Sequence, residues 1–269
     1  MNKERIALIV EGDVREMDVF DNIKKKFFNS SNVDIIPFPA GENIYMLWKK
    51  LKDDDFQTDI IEVVREEDPK AAEIIKNYSR DSFSEVYLFF DYDGHQNNLS
   101  KDEEDIDVIQ EMLNAFNNET ENGLLYINYP MVEAVRDYIE NDCSTMSGCV
   151  IDLSDVGDYK SISSKNAGHN SIRDYTINDW ENIIDCYAER VSCLLGKEDV
   201  VTFDEYKSIV TESQIYKFQK RYEEQGKVFV LSAIPGFLLK YSKQAFWHRM
   251  VKHSQNKRNN CSIINSSVG

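Results

Sequence analysis

Short apolar runs separated by amphipathic stretches organise the first half of the chain. Ile6-Ala7-Leu8-Ile9-Val10 and Val86-Tyr87-Leu88-Phe89-Phe90 show no polar alternation, and Leu124-Leu125-Tyr126-Ile127-Asn128 turns polar only at its last residue. Runs of this length with both faces apolar predict strands covered on both sides, as in a parallel sheet. Val33-Asp34-Ile35-Ile36-Pro37-Phe38 predicts a further strand, its end placed at an edge or terminus by Pro37. The intervening stretches have helical spacing. Met17, Phe20, Ile23, Phe27 and Phe28 follow the first strand; Ile44, Leu47, Trp48 and Leu51 follow Gly41. A third helical stretch covers about 57–78 with a break at Pro69, and a fourth runs from Ser100 through Ile106, Ile109, Met112, Leu113 and Phe116. Strands alternating with helices predict an α/β fold with a mainly parallel sheet.

The second half reads differently. Turn-forming residues at 154–172 precede helical patterns at about 177–195 and 203–225, which predicts a helical insertion over 151–226. Lys227-Val228-Phe229-Val230-Leu231-Ser232 predicts a fifth strand, and a helix from Phe237 to Lys252 follows, so 227–253 is expected to complete the core. The Asn- and Ser-rich end, 254–269, predicts a flexible tail.

Two punctuation signals carry local expectations. Asp13, with Glu16 three residues on, predicts a capping box at the first helix. Pro130 predicts the first turn of a helix.

The chain of 269 residues, 42% hydrophobic, is long enough for a substantial core. No run of about 18 apolar residues predicts a membrane span. The apolar run after Met1-Asn2-Lys3-Glu4-Arg5 ends too soon at Glu11 for a secretory leader. The five cysteines lack Cys-x-x-Cys spacing, which predicts reduced thiols, no zinc site and a cytoplasmic location. A net charge of -17 opposes unaided binding to a phosphate backbone and favours docking on a basic partner protein.

Candidate chemistry gathers where strands end. Glu11 follows the first strand, Asp91 and Asp93 follow the Val86–Phe90 run, and Glu133 lies just beyond the Leu124–Asn128 run. Parallel strands present these ends on one rim, where open α/β sheets bind ligands. Two carboxylates one residue apart repel unless a cation or proton lies between them. Oxygen donors without His or Cys favour Mg²⁺ or Mn²⁺. His95 reads either as a phosphate contact or proton donor or as a solvated loop histidine. Lys160 and Lys165, in one polar stretch with Asp158 and His169, read either as neutralising a scissile phosphate or as a surface loop. Lys217, Lys220, Arg221, Lys240, Lys243, Arg249, Lys252, Lys257 and Arg258, with Trp247 and His248 among them, form the basic concentration of the chain. They read either as a nucleic-acid or acidic-partner face or as a solvated surface.

Ile9-Val10-Glu11-Gly12, with Phe89-Phe90-Asp91-Tyr92-Asp93 later in the chain, resembles the toprim domain, over about residues 5–140. The resemblance implies a toprim-like α/β core at 1–150 and a metal-dependent nuclease of DNA or RNA, tRNA included. Asp91 and Asp93 would then hold Mg²⁺, Glu11 would bind metal or handle a proton, and Gly12 would allow a tight turn. Outside that match, Glu133 reads either as a further ligand or the base for water, or as an early-helix acid favoured by the dipole. In layout the chain looks most like the stand-alone toprim effectors of anti-phage defence, related to the overcoming-lysogenization-defect nucleases. That implies an ABC-type ATPase partner and admits a homo-oligomer. Arg15 departs from the family pattern, which often has an acid four residues after the Glu.

Phe90-Asp91-Tyr92-Asp93-Gly94 also resembles the first motif of haloacid-dehalogenase-type phosphatases, with Asp91 as nucleophile and Asp93 as general acid. Two strand-helix units precede it, His95 follows the glycine, and Ile162 stands where a later Gly-Asp-x-x-x-Asp needs its second acid. A third reading is an interaction module with a vestigial metal site.

Overall fold

The computed structural model describes residues 3–29, 32–92, 107–137, 149–166 and 171–251. It is an α/β protein built on a five-stranded, mostly parallel sheet flanked by helices. Strands β1 (Glu4–Val10), β2 (Val33–Pro39), β3 (Glu85–Asp91), β4 (Asn117–Asn118) and β5 (Gly123–Asn128) lie in the order β2-β1-β3-β5-β4. β1 is parallel to both neighbours, with Val10 opposite Pro39 on one side and Phe89 on the other. The carboxyl ends of β1 and β3 therefore leave the sheet on the same edge. The short β4 runs antiparallel to β5.

Internal contacts divide the chain into two compact units. One comprises Met1–Phe90, His95–Tyr126 and Ser171–Asp174; the other comprises Asp91–Gly94, Ile127–Asn170 and Tyr175–Gly269. In the first unit, Ile6 to Val10 and Val86 to Phe90 are buried throughout, as expected of strands covered on both faces. Phe20, from helix α1 (Arg15–Ile23), meets Phe89 at 4.6 Å between ring centroids, and Phe89 stacks on Tyr126. Each such fully buried side chain contributes about 1.5–3 kcal/mol. Helix α2 (Ile44–Asp53) starts at the cap Asn43, two residues beyond Gly41 at φ +76°. The predicted break at Pro69 separates α3 (Ile60–Glu67) from α4 (Pro69–Ile74), and Asp68 caps the second of these. Helix α5 (Val108–Ala115) is capped by Asp107; the predicted earlier part from Ser100 lies outside the described residues.

The second unit is dominated by helices: α6 (Tyr159–Asn166), α7 (Ile177–Leu194), α8 (Phe203–Ile209), α9 (Glu212–Glu223), α10 (Ala233–Tyr241) and α11 (Gln244–Met250). Thr176, Thr202 and Thr211 cap α7, α8 and α9. Trp180, Tyr187, Tyr216 and Trp247 are fully enclosed. Among the described residues no helix is long and apolar enough to cross a membrane.

The second half departs from expectation in three places. The predicted fifth strand is short, β7 (Lys227–Phe229), and pairs antiparallel with β6 (Val150–Asp152) in a two-stranded sheet of its own. It therefore does not extend the five-stranded sheet, although Leu231 just beyond it exchanges two backbone hydrogen bonds with Tyr129, at 2.8 and 2.7 Å. The stretch read as turns, 154–172, contains a 3₁₀ segment at Leu153–Asp158 and helix α6. After β5 the chain forms a 3₁₀ segment, Val132–Arg136, and Pro130 precedes it in a cis peptide rather than opening a helix.

Candidate functional site

Glu11 is the first residue beyond β1, half-buried, and its N–H donates to the carbonyl of Phe89 at 3.2 Å. The turn that follows differs from the expected capping box. α1 begins at Arg15 with Val14 as its cap residue, and the Glu16 carboxylate instead accepts from the N–H of Gly12 at 3.0 Å. Asp13 faces outward and pairs with Lys70. Gly12 is not in the left-handed region; what excludes a side chain is Glu16, whose carboxylate carbon would lie 2.8 Å from an added Cβ. The demand for glycine there comes from space rather than φ.

Asp91 closes β3 and is half-buried. Its Oδ1 accepts a hydrogen bond from Asn128 Nδ2 at 3.1 Å, and the next residue, Tyr92, donates its N–H to the Asn128 carbonyl at 2.9 Å. Asp93 and His95 lie outside the described residues, as does His169.

Glu133 sits in the 3₁₀ segment after β5 and is 3% exposed. Lys160, in the first turn of α6, brings its Nζ to 4.0 Å from Glu133 Oε1. The backbone beneath this pair is tied down by Ser163, which donates to the Glu133 carbonyl at 3.2 Å. Lys165, in the last turn of α6, is exposed, as is Asp158. Two residues singled out in the sequence thus meet, Glu133 and Lys160.

A buried polar network supports Glu133's segment. Asp137 accepts from the Tyr159 hydroxyl, and Arg190, fully buried, donates to the carbonyls of Val230 at 3.0 Å and Asp137 at 3.2 Å. Burial pushes the Asp137 carboxyl above its usual range, against the Tyr159 hydrogen bond and the charges of Arg190 and Arg136.

The basic concentration is less continuous than its sequence suggests. Lys217, Lys220, Arg221, Lys243 and Arg249 are exposed. Lys240 is committed inward, donating to the carbonyls of Lys207 at 2.9 Å and Val210 at 3.4 Å, where α8 ends. Lys252, Lys257 and Arg258 lie outside the described residues.

Among the described residues, no three His, Cys, Asp or Glu side chains come close enough together to hold a metal ion. The residue that sequence reasoning missed is Asn128. Its signal was a polar residue ending an otherwise apolar strand, a position that also suits an ordinary turn. Comparison with family models, curated proteins and solved structures returned no match.

Proposed function

We propose that this chain is a toprim-like nuclease that uses Mg²⁺ or Mn²⁺ to cleave phosphodiester bonds of DNA or RNA. The observation that carries the reading is the topology of its acids: Glu11 follows β1 and Asp91 ends β3, and these strands are parallel neighbours. Acids at the carboxyl ends of adjacent parallel strands stand where open α/β sheets take their ligands. The donor chemistry fits a hard divalent cation, since both groups offer carboxylate oxygen. Asp91, with Asp93 beyond it, would hold the ion, and Glu11 would join them or carry a proton. When bound, such an ion polarises a phosphoryl oxygen and makes water a better nucleophile at neutral pH.

The chain's own residues supply the rest. Lys160, exposed and cationic, would meet a scissile phosphate, and Glu133 would orient that lysine or accept a proton from water. His95 and Lys165 remain candidates for outer phosphate contacts. A net charge of -17 makes unaided capture of nucleic acid unfavourable. The reading therefore includes a partner that delivers the substrate, an ABC-type ATPase, and a role as effector of an anti-phage complex.

The test is cleavage of plasmid and tRNA with Mg²⁺, Mn²⁺ or EDTA, with and without the ATPase. Glu11→Ala and Asp91→Ala should each abolish metal-dependent cleavage while the circular dichroism spectrum is unchanged. Undiminished cleavage in both variants overturns the proposal.

A further inference from the structure

Asn128 is 1% exposed and Ser232 is fully buried, and both belong to a hydrogen-bond chain whose direction the backbone dictates. The N–H of Ala233, the first residue of α10, reaches Asn128 Oδ1 at 3.0 Å. A backbone N–H can only donate, so the amide oxygen faces the helix and the amide NH₂ faces Asp91. Ser232 agrees: its Oγ accepts from the Ile234 N–H at 3.3 Å, leaving its single proton for Asn128 Oδ1, also at 3.3 Å. The chain ends with Asn128 Nδ2 donating to Asp91 Oδ1 at 3.1 Å. Asn128 also holds the adjoining backbone, because its carbonyl accepts the N–H of Tyr92.

From this geometry we propose that Asn128 is a positioning residue for Asp91, fixing the rotamer in which its carboxyl would meet an ion. The inference rests on the reading of Asp91 as a metal ligand. An NH₂ donor suits a carboxylate acceptor and does not compete as a base. A carboxylate already held in one rotamer loses less freedom when it takes up a cation. The distance in sequence is itself informative: α10, more than a hundred residues further on, sets the orientation of the amide that orients Asp91.

Metal binding to the apo protein separates this role from a purely structural one. Free Mn²⁺ is followed by electron paramagnetic resonance during titration of wild type, Asp91→Ala, Asn128→Ala and Ser232→Ala, with urea unfolding measured on each. Ser232→Ala removes the helix cap but keeps the amide donor; it should lose stability and bind Mn²⁺ within about threefold of wild type. Asn128→Ala should weaken Mn²⁺ at least tenfold. If Asp91→Ala abolishes binding while a folded Asn128→Ala binds as wild type does, the positioning role is overturned and the metal reading stands. If Asp91→Ala binds Mn²⁺ normally, the metal reading falls and takes this role with it. Should Asn128→Ala fail to fold, the unaltered protein still decides. With asparagine-selective labelling, the Asn128 side-chain amide resonance should shift saturably with Mg²⁺, and an unmoved resonance at saturating Mg²⁺ overturns the proposal.

Discussion

Lys160 carries its ammonium to 4.0 Å from the buried carboxylate of Glu133, while its own side chain is 67% exposed. An ion pair with one partner in water contributes little to stability, about 0–1 kcal/mol. The pairing is therefore better suited to aiming a cation than to holding the fold. Lys160→Met should shift the urea midpoint only slightly, by under about 1 kcal/mol, yet lower metal-dependent cleavage at least tenfold. Full activity in a stable Lys160→Met protein would show that this lysine is surface decoration.

Glu212, in the first turn of α9, gives stability a pH dependence of definite sign. The residue as a whole is only partly covered, but its carboxyl is enclosed. Burial pushes that carboxyl from 4.5 up to about 8, against the backbone hydrogen bond from Ile127 and the charge of Lys240. Between these values the folded chain holds a proton that the unfolded chain has released. Stability from this group is then complete below about pH 4.5 and falls as pH rises towards 8. Glu212→Gln should lie within about 1 kcal/mol of wild type at pH 5 and exceed it by a few kcal/mol at pH 9. Urea unfolding across pH 5–9 checks this, and parallel pH profiles would refute it.

How much of this was legible in the sequence depended on the range of the forces involved. The runs Ile6–Val10 and Val86–Phe90 are buried on both faces, so each residue reports its environment directly and the strands could be read in place. The partner of β7 could not, because three residues with no face preference do not specify whether they join one sheet or another. α6 was unreadable for a related reason: Tyr159-Lys160-Ser161-Ile162-Ser163-Ser164 has few apolar residues to set a helical period, and buried Tyr159 and Ser163 are held by polar contacts. At the candidate site, Glu11 and Asp91 stood out as acids ending apolar runs. Asn128 did not, since its meaning depends on Ser232 and Ala233, far along the chain. Lys240 misled in the opposite direction: its charge suggested surface, but unpaired carbonyls at the end of α8 draw it inward.

Gly12 yields a prediction that separates the two reasons for a glycine. If conformation were the constraint, any L-residue would be strained; the observed backbone is not left-handed, and the nearest obstacle is the Glu16 carboxylate. Gly12→Ala should cost about 1–3 kcal/mol by displacing that buried side chain, and Gly12→Ala with Glu16→Ala should recover part of the loss. A double-mutant cycle in urea measures the coupling, and strict additivity would point back to the backbone.

Arg190 offers the counterpart to Lys160. It is fully buried and bridges the carbonyls of Val230 and Asp137, joining α7 to the segment that carries Glu133. Arg190→Met retains much of the side chain's volume but removes both donors and the positive charge facing Asp137. Two enclosed carbonyls would then lose a donor and the buried acid would lose the facing charge at once, a loss of about 3–5 kcal/mol. The Asp137 carboxyl, already raised by burial, would rise further and bind its proton over a wider pH range. The added stability of Arg190→Met at pH 5 relative to pH 8 should therefore exceed that of wild type. Urea unfolding at the two pH values measures it; equal pH responses would mean that the Arg190 charge does not govern Asp137.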